Sequence, residues 1–149
     1  RDPMAMLPFC GYNMGDYFGH WLQLGAAIPR PPKVFHVNWF RKDEKGKFLW
    51  PGYGENLRVL EWVLARCHGD GKAVKTPIGY LPAKDGLDLA GLELSDGAVE
   101  KLLEVKPEEW TAELDGVKTF FDQFGAALPK ELWHQLDALK ARLRVKVPA

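Results

Sequence analysis

The chain contains a single serine, Ser95, and few threonines, so hydroxyl nucleophiles are scarce. Ser95 lies in Leu-Ser-Asp-Gly, without the flanking glycines of a nucleophile elbow, and reads as a helix N-cap. Cysteine is nearly as rare, with only Cys10 and Cys67. Two cysteines so far apart make neither a disulfide framework nor a zinc knuckle. They read as free, buried thiols of a reducing compartment. No apolar run approaches the ~20 residues of a membrane helix, and no signal peptide opens the chain. A cytoplasmic protein with no membrane partner is expected. Lysine and arginine balance aspartate and glutamate, 20 against 20, which removes any global attraction to nucleic acid and leaves binding to local features. Internal repeats and low-complexity stretches are also lacking.

What is present is an ordinary globular composition, 46% hydrophobic and 27% charged, over 149 residues. That length fits one domain with a real core. The aromatic content is 12%, with six tryptophans, which points to a ring-rich core or to stacking surfaces. The opening Arg1-Asp2-Pro3-Met4-Ala5-Met6-Leu7-Pro8 has no initiator methionine and is dense in proline and apolar residues. It reads as the interior of a longer protein.

Helical spacings of Phe18 and Leu22, and of Tyr17, Trp21 and Leu24, predict a helix that Gly25 closes. Pro29-Arg30-Pro31-Pro32 is a rigid connector. Val34 to Phe40 is β-branched and aromatic and predicts a strand. Asp43 to Gly46 carries turn chemistry, with Phe48-Leu49-Trp50 as a short return strand. A helix is expected over Glu55–His68, with Leu57, Leu60, Leu64 and Cys67 as its stripe and Gly69 as its stop. Residues 69–94 read as irregular, with Thr76 to Pro82 as an extended loop. Three helices follow: a short one capped by Ser95, one opened by Pro107 with Trp110, Leu114, Val117, Phe121 and Phe124 on one face, and one opened by Pro129 with Leu132, Leu136, Leu139 and Leu143 on one face.

No complete active site is legible. Gly69-Asp70-Gly71-Lys72-Ala73 is the nearest string to a P-loop, but it lacks the hydroxyl residue and a preceding strand, and reads as a turn. His20, His36, His68 and His134 have no metal-ligand spacing. The informative region is aromatic and basic: Trp39, Phe40, Phe48, Trp50 and Tyr53, interleaved with Arg41, Lys42, Lys45 and Lys47. Rings stack on any base, because every base has a π face. If Phe40 and Phe48 face each other across the hairpin, a slot for one planar base results. The same rings can equally be hairpin core, since aromatic pairs are common strand contacts. Pro51-Gly52-Tyr53-Gly54-Glu55-Asn56 then leads into a helix. Its glycines permit close backbone approach, and the helix start offers N–H donors. With the Glu55 carboxylate beside them, those donors suit the neutral edge of a base better than a phosphate. A backbone N–H can satisfy guanine O6, while the Asn56 oxygen or a carbonyl accepts from N1–H or N2–H. A wrong base would leave polar groups unpaired. Alternatively, Glu55 and Asn56 simply cap the helix.

Several runs resemble one family. Phe35-His36-Val37-Asn38-Trp39-Phe40-Arg41-Lys42-Asp43, followed by Gly46-Lys47-Phe48-Leu49-Trp50-Pro51-Gly52-Tyr53-Gly54-Glu55-Asn56, is similar to the guanine-pocket segment of GTP-dependent phosphoenolpyruvate carboxykinases. The flanking Arg58-Val59-Leu60-Glu61-Trp62 matches as well. So do Arg1 to Phe9, Gly11-Tyr12-Asn13, His20-Trp21-Leu22 and Thr76-Pro77-Ile78-Gly79-Tyr80. The C-terminal helices match only in pattern.

The resemblance implies an α/β (mixed α+β) fold, with residues 1–149 as the C-terminal portion of the nucleotide-binding, P-loop domain, the P-loop itself being absent. Residues 1–33 would be a helix and Pro-rich connector, 34–68 the guanine-pocket hairpin and helix, and 69–149 a loop and the C-terminal helices. It further implies oxaloacetate decarboxylation, with phosphorylation of the enolate by GTP to give phosphoenolpyruvate, GDP and CO₂, in gluconeogenesis or anaplerosis. Manganese and magnesium (Mn2+, Mg2+) are the implied cofactors, with no ligand in this segment. GTP/GDP and oxaloacetate/phosphoenolpyruvate are the implied partners, with no nucleic acid, and the protein is expected to be a monomer. Nucleotide-binding residues would be Trp39, Phe40, Phe48, Tyr53, Gly54, Glu55 and Asn56, with Phe40, Phe48 and Tyr53 enclosing guanine and Asn56 hydrogen-bonding it. Tyr53 stands where the family is expected to carry Phe. The family's P-loop, its reactive cysteine, its metal ligands and its substrate arginines would all precede Arg1, so this segment alone is expected to be inactive. Two other classes remain beside this reading: a non-catalytic RNA- or nucleotide-binding module, and a structural domain whose rings are core.

Overall fold

A computed structural model of the chain describes residues 5–144. Residues 1–4 of the family-like opening lie outside the described residues. The elements are mixed α and β, in two compact units: Arg1–Pro32 with Lys106–Ala149, and Lys33–Val105.

In the first unit, helix α1 spans Met14–Ala27. The side chain of Asn13 caps it, accepting from Gly15 N at 2.8 Å. The helix does not stop at Gly25 as expected. It runs on to Ala27 because the chain is forced out of helical geometry only at Ile28, which is extended ahead of Pro29. The two later helices of this unit span Pro107–Asp122, with proline in the first turn, and Lys130–Arg144. Both begin where their prolines predict. The core gathers Met14, Phe124 and Leu128, with Phe18, Phe120, Phe121, Leu132 and Trp133 packed around them. Its rings meet edge to face: Phe18 with Phe124 at 5.5 Å, Phe120 with Phe124 at 5.0 Å, and Phe121 with Trp133 at 5.4 Å. Gly15 is required here: a Cβ would lie 2.6 Å from the Ala127 carbonyl carbon and oxygen.

The second unit carries helix α2 (Asn56–His68), strands β1 (Ala73–Thr76) and β2 (Gly79–Pro82), and the short helix α3 (Ala98–Leu103). Gly69, at φ +96°, closes α2 as expected. The face that α2 buries is not the expected one. Trp62 is buried, and its indole N–H donates to the Lys72 carbonyl at 2.8 Å, with Phe35 edge-on at 6.0 Å. Leu57, Leu60, Leu64 and Cys67 are exposed. The helix has two apolar rows, and the loops that return to it cover the Trp62 row. Cys67 is therefore a free thiol but not a buried one, while Cys10 is partly buried.

Residues 69–94 are more ordered than expected. β1 and β2 pair antiparallel, from Ala73 with Pro82 to Thr76 with Gly79. The turn between them is held by Thr76, whose hydroxyl donates to the Gly79 carbonyl at 2.8 Å and accepts from Ile78 N at 3.3 Å. Ser95 is not the cap of α3. The αL residue Gly97, at φ +71°, precedes the helix, and only the Ser95 backbone carbonyl takes part, accepting from Ala98 N.

Val34 to Phe40 does not form a strand. The Asn38 side chain accepts from Phe40 N at 2.9 Å and turns the chain before a ladder can start. The hairpin survives in minimal form, as a single antiparallel bridge between Lys42 and Phe48. Phe48 therefore lies opposite Lys42 and not opposite Phe40.

Candidate functional site

The turn carrying the aromatic cluster is built around Asp43. Its carboxylate accepts from the backbone N–H groups of Lys45 and Lys47, each at 2.9 Å. Its own N–H donates to the Lys47 carbonyl at 2.8 Å, and Gly46 takes the positive φ the turn needs, +78°. Arg41 fixes the base of the hairpin, with Nη1 donating to the carbonyls of Leu102 and Glu104 at the end of α3. Carbonyls at a helix C-terminus carry the negative end of its dipole, so a cation suits them.

Trp39, Phe40, Phe48, Tyr53 and Asn56 line one cavity of about 660 Å³, together with Lys47, Trp50, Pro51 and Gly52. Gly54 and Glu55 do not line it. Gly52 adopts φ +131°, a conformation that side chains avoid, so it is the glycine this loop requires. Phe40 is 72% exposed, Phe48 50% and Tyr53 92%. Rings serving as hairpin core would be covered, so that alternative does not describe them. The Phe40 and Phe48 centroids are 6.2 Å apart at 63°, edge to face rather than parallel. A base sandwich needs parallel rings about 7 Å apart, twice the carbon contact distance. Lys42 Nζ lies 4.9 Å from the Phe48 centroid, a cation–π contact that supports this ring.

The start of α2 also differs from a simple cap. A 3₁₀ turn, Tyr53–Glu55, precedes it. Glu55 N donates to the Gly52 carbonyl at 3.2 Å, and Asn56 N donates to the Tyr53 carbonyl, so these two backbone donors are used internally. The Glu55 side chain makes no cap bond. It pairs with Arg58 Nε at 2.6 Å, and this hydrogen bond raises the Arg58 pKa above its ordinary value. Arg58 Nη1 also reaches the Asp88 carbonyl at 2.8 Å. The Asn56 side chain does not cap the helix either: its Oδ1 accepts from Trp50 Nε1 at 2.9 Å.

Trp50 was legible as one of the clustered rings but not as a polar partner. It is 6% exposed, and its indole has to place an N–H somewhere. An indole buried six residues before an asparagine was the available signal. Among the described residues no group of three or more His, Cys, Asp or Glu is placed to hold a metal ion, and no helix is long and apolar enough to cross a membrane.

Over residues 1–142 the chain matches the family described as phosphoenolpyruvate carboxykinase C-terminal P-loop domain. It is 54% identical over 146 residues to a phosphoenolpyruvate carboxykinase (GTP) of Neocallimastix frontalis, covering 96% of this chain and 24% of that protein. It is 50% identical over 145 residues to the protein of the same name from Paenarthrobacter aurescens strain TC1, again covering 96% and 24%. The likeness to the Treponema pallidum strain Nichols protein of that name is 50% over 146 residues, with the same coverage, 96% and 24%. The chain thus spans 24% of the length of these relatives. It belongs to the GTP-dependent phosphoenolpyruvate carboxykinase family, within the C-terminal P-loop domain.

Proposed function

We propose that the whole protein converts oxaloacetate and GTP to phosphoenolpyruvate, GDP and CO₂, as a carboxy-lyase of gluconeogenesis in the cytoplasm. This segment, the C-terminal portion of the nucleotide-binding domain, supplies guanine recognition to that reaction. The observation that carries the reading is the cavity walled by the exposed rings of Phe40 and Phe48, with Asn56 at its edge. It lies within the stretch that matches the family.

In this reading Phe40, Phe48 and Tyr53 stack on the base, and Trp39 packs behind them. Gly52 lets the backbone approach closely. Gly54 and Glu55 shape the loop from outside the cavity, Glu55 through its pair with Arg58. The Tyr53 hydroxyl sits on a side chain exposed enough to stay in water, so it keeps the stacking face without a buried-phenol cost. Manganese and magnesium would supply charge neutralisation at the phosphates. The described residues of this segment hold no donor cluster for them, and no step is assigned to the segment's own side chains there. Its contribution is binding and selection, with the protein acting as a monomer and the phosphates and oxaloacetate held elsewhere in the enzyme.

The test is nucleotide choice. The full-length enzyme should turn over with GTP and ITP and poorly with ATP. Equal turnover with ATP would remove the pocket assignment. An RNA-binding module would instead show a steep salt dependence of RNA affinity, and zero net charge gives it no support.

A further inference from the structure

Resting on the guanine-pocket reading above, we infer that Trp50 is a positioning residue for base selectivity: it locks the Asn56 amide so that Nδ2, not Oδ1, is presented to the base. The argument begins with the indole. Its N–H is a donor only, so the atom it meets at 2.9 Å must be the amide oxygen of Asn56. The choice between the two amide orientations is therefore fixed by chemistry. Trp50 cannot swing away easily. It is 6% exposed, sits beside the buried Leu49, and lies against Trp39 with centroids 6.2 Å apart.

Asn56 lines the cavity, and among the described residues nothing accepts from its Nδ2. The backbone N–H groups of Glu55 and Asn56 are already used within the 3₁₀ turn. The free amide N–H₂ is thus a side-chain donor that this edge of the cavity holds out. A 6-oxo purine offers O6 as its acceptor, whereas a 6-amino purine offers a second donor and is rejected. This reverses the simplest view of the asparagine, in which its oxygen accepts from the N1–H and N2–H of guanine. The contact reads the 6-position, so guanine and hypoxanthine look alike to it.

Without the indole N–H, the amide is free to turn over. Its oxygen can then face the cavity and accept from an adenine amino group. Selectivity between 6-oxo and 6-amino purines should fall, while stacking on Phe40 and Phe48 continues.

The experiment measures Kd for GDP, IDP and ADP on the full-length enzyme and three variants. Trp50→Phe keeps the ring bulk and removes the donor. Its GDP-to-ADP preference should drop about tenfold or more, the effect of mismatching one hydrogen-bonded group, with GDP and IDP weakened alike. Trp39→Phe, a neighbouring ring with no such bond to Asn56, should weaken all three nucleotides and leave the ratio unchanged. Asn56→Asp decides the matter if Trp50→Phe fails to fold. A carboxylate still accepts from the indole but has nothing to donate to O6. GDP and IDP affinity should therefore fall about tenfold or more relative to ADP. An Asp variant that binds GDP as tightly as the parent, or more tightly, overturns the inference, because it would show an acceptor facing the base. So does a folded Trp50→Phe variant with an unchanged GDP-to-ADP ratio. A parent enzyme with no GDP preference over ADP would instead overturn the guanine-pocket reading itself.

Discussion

The Arg41 guanidinium donates to two carbonyl oxygens at the end of α3, Leu102 at 3.0 Å and Glu104 at 3.1 Å. The arginine lies at the foot of the turn that carries Phe48, and its own carbonyl accepts from Leu49 N at 2.9 Å. A short helix and a hairpin of a single bridge thus hold each other in place within one unit. Neither has enough ladder or length to be rigid by itself.

Replacing Arg41 by Met should loosen that hairpin without removing any ring from the cavity. Amide exchange at Leu49 should speed up about tenfold, the equivalent of about 1.4 kcal/mol and close to the lower end of what a hydrogen bond to a charged group contributes. Unchanged exchange would mean the arginine carries no anchoring load.

Phe48→Ala in the full-length enzyme should weaken guanine nucleotide binding by about 1–3 kcal/mol, the worth of one stacked base. The α2 helix should be undisturbed, because Phe48 is 50% exposed and packs outside its buried row. Unaltered affinity in a folded variant would count against a ring sandwich.

Gly15→Ala gives a test in the other unit. In an open helix the change is favourable by about 1 kcal/mol. Here the new Cβ would stand 2.6 Å from the Ala127 backbone and 2.9 Å from the capping oxygen of Asn13. Overpacking against backbone should win, with a net loss of about 1–3 kcal/mol. A lowered midpoint of thermal inactivation is expected, and a raised one would contradict this packing.

Two exposed carboxylates of the second unit have lowered pKa values. The hydrogen bond from the Lys72 ammonium, followed by one from its own backbone, lowers Asp85. A hydrogen bond from its own backbone, followed by Lys84 at 3.3 Å, lowers Glu100. A carboxylate held below its unfolded value stabilises the fold above the ordinary carboxylate range. That contribution fades as pH falls below about 4. The double variant D85N/E100Q should therefore melt below the parent at pH 7, and the gap should close as pH falls through and then below the ordinary carboxylate range. A gap that persists in acid would show that these ionisations are not its source.

The cavity was more legible than the fold because its wall is continuous in sequence. All nine lining residues fall between Trp39 and Asn56, so no long-range packing had to be foreseen. Turn chemistry at Asp43 and Gly46 was equally local. What stayed hidden depended on partners. Periodicity identified α2 but not which of its two apolar rows is covered, since that is decided by Phe35 and the Lys72 carbonyl, both distant in sequence. Val34 to Phe40 has strand propensity but, among the described residues, no neighbouring strand, and the Asn38 side chain turns it away. The β1–β2 hairpin was missed although its turn is Thr-Pro-Ile-Gly, with proline and glycine where turns favour them. Four-residue strands give too little alternation to register. The Trp50–Asn56 bond joins a side chain valued for its ring to one valued for its amide, and composition does not link the two.

The outward row of α2 has a practical consequence. Leu57, Leu60, Leu64 and Cys67 face solvent along successive turns of one helix. Wet apolar ridges of this kind draw copies of a molecule together as concentration rises. Prepared by itself, the segment should cloud or form soluble clusters in concentrated solution. In air, dissolved oxygen would then oxidise pairs of the exposed Cys67 thiols to intermolecular disulfides unless a reductant is present.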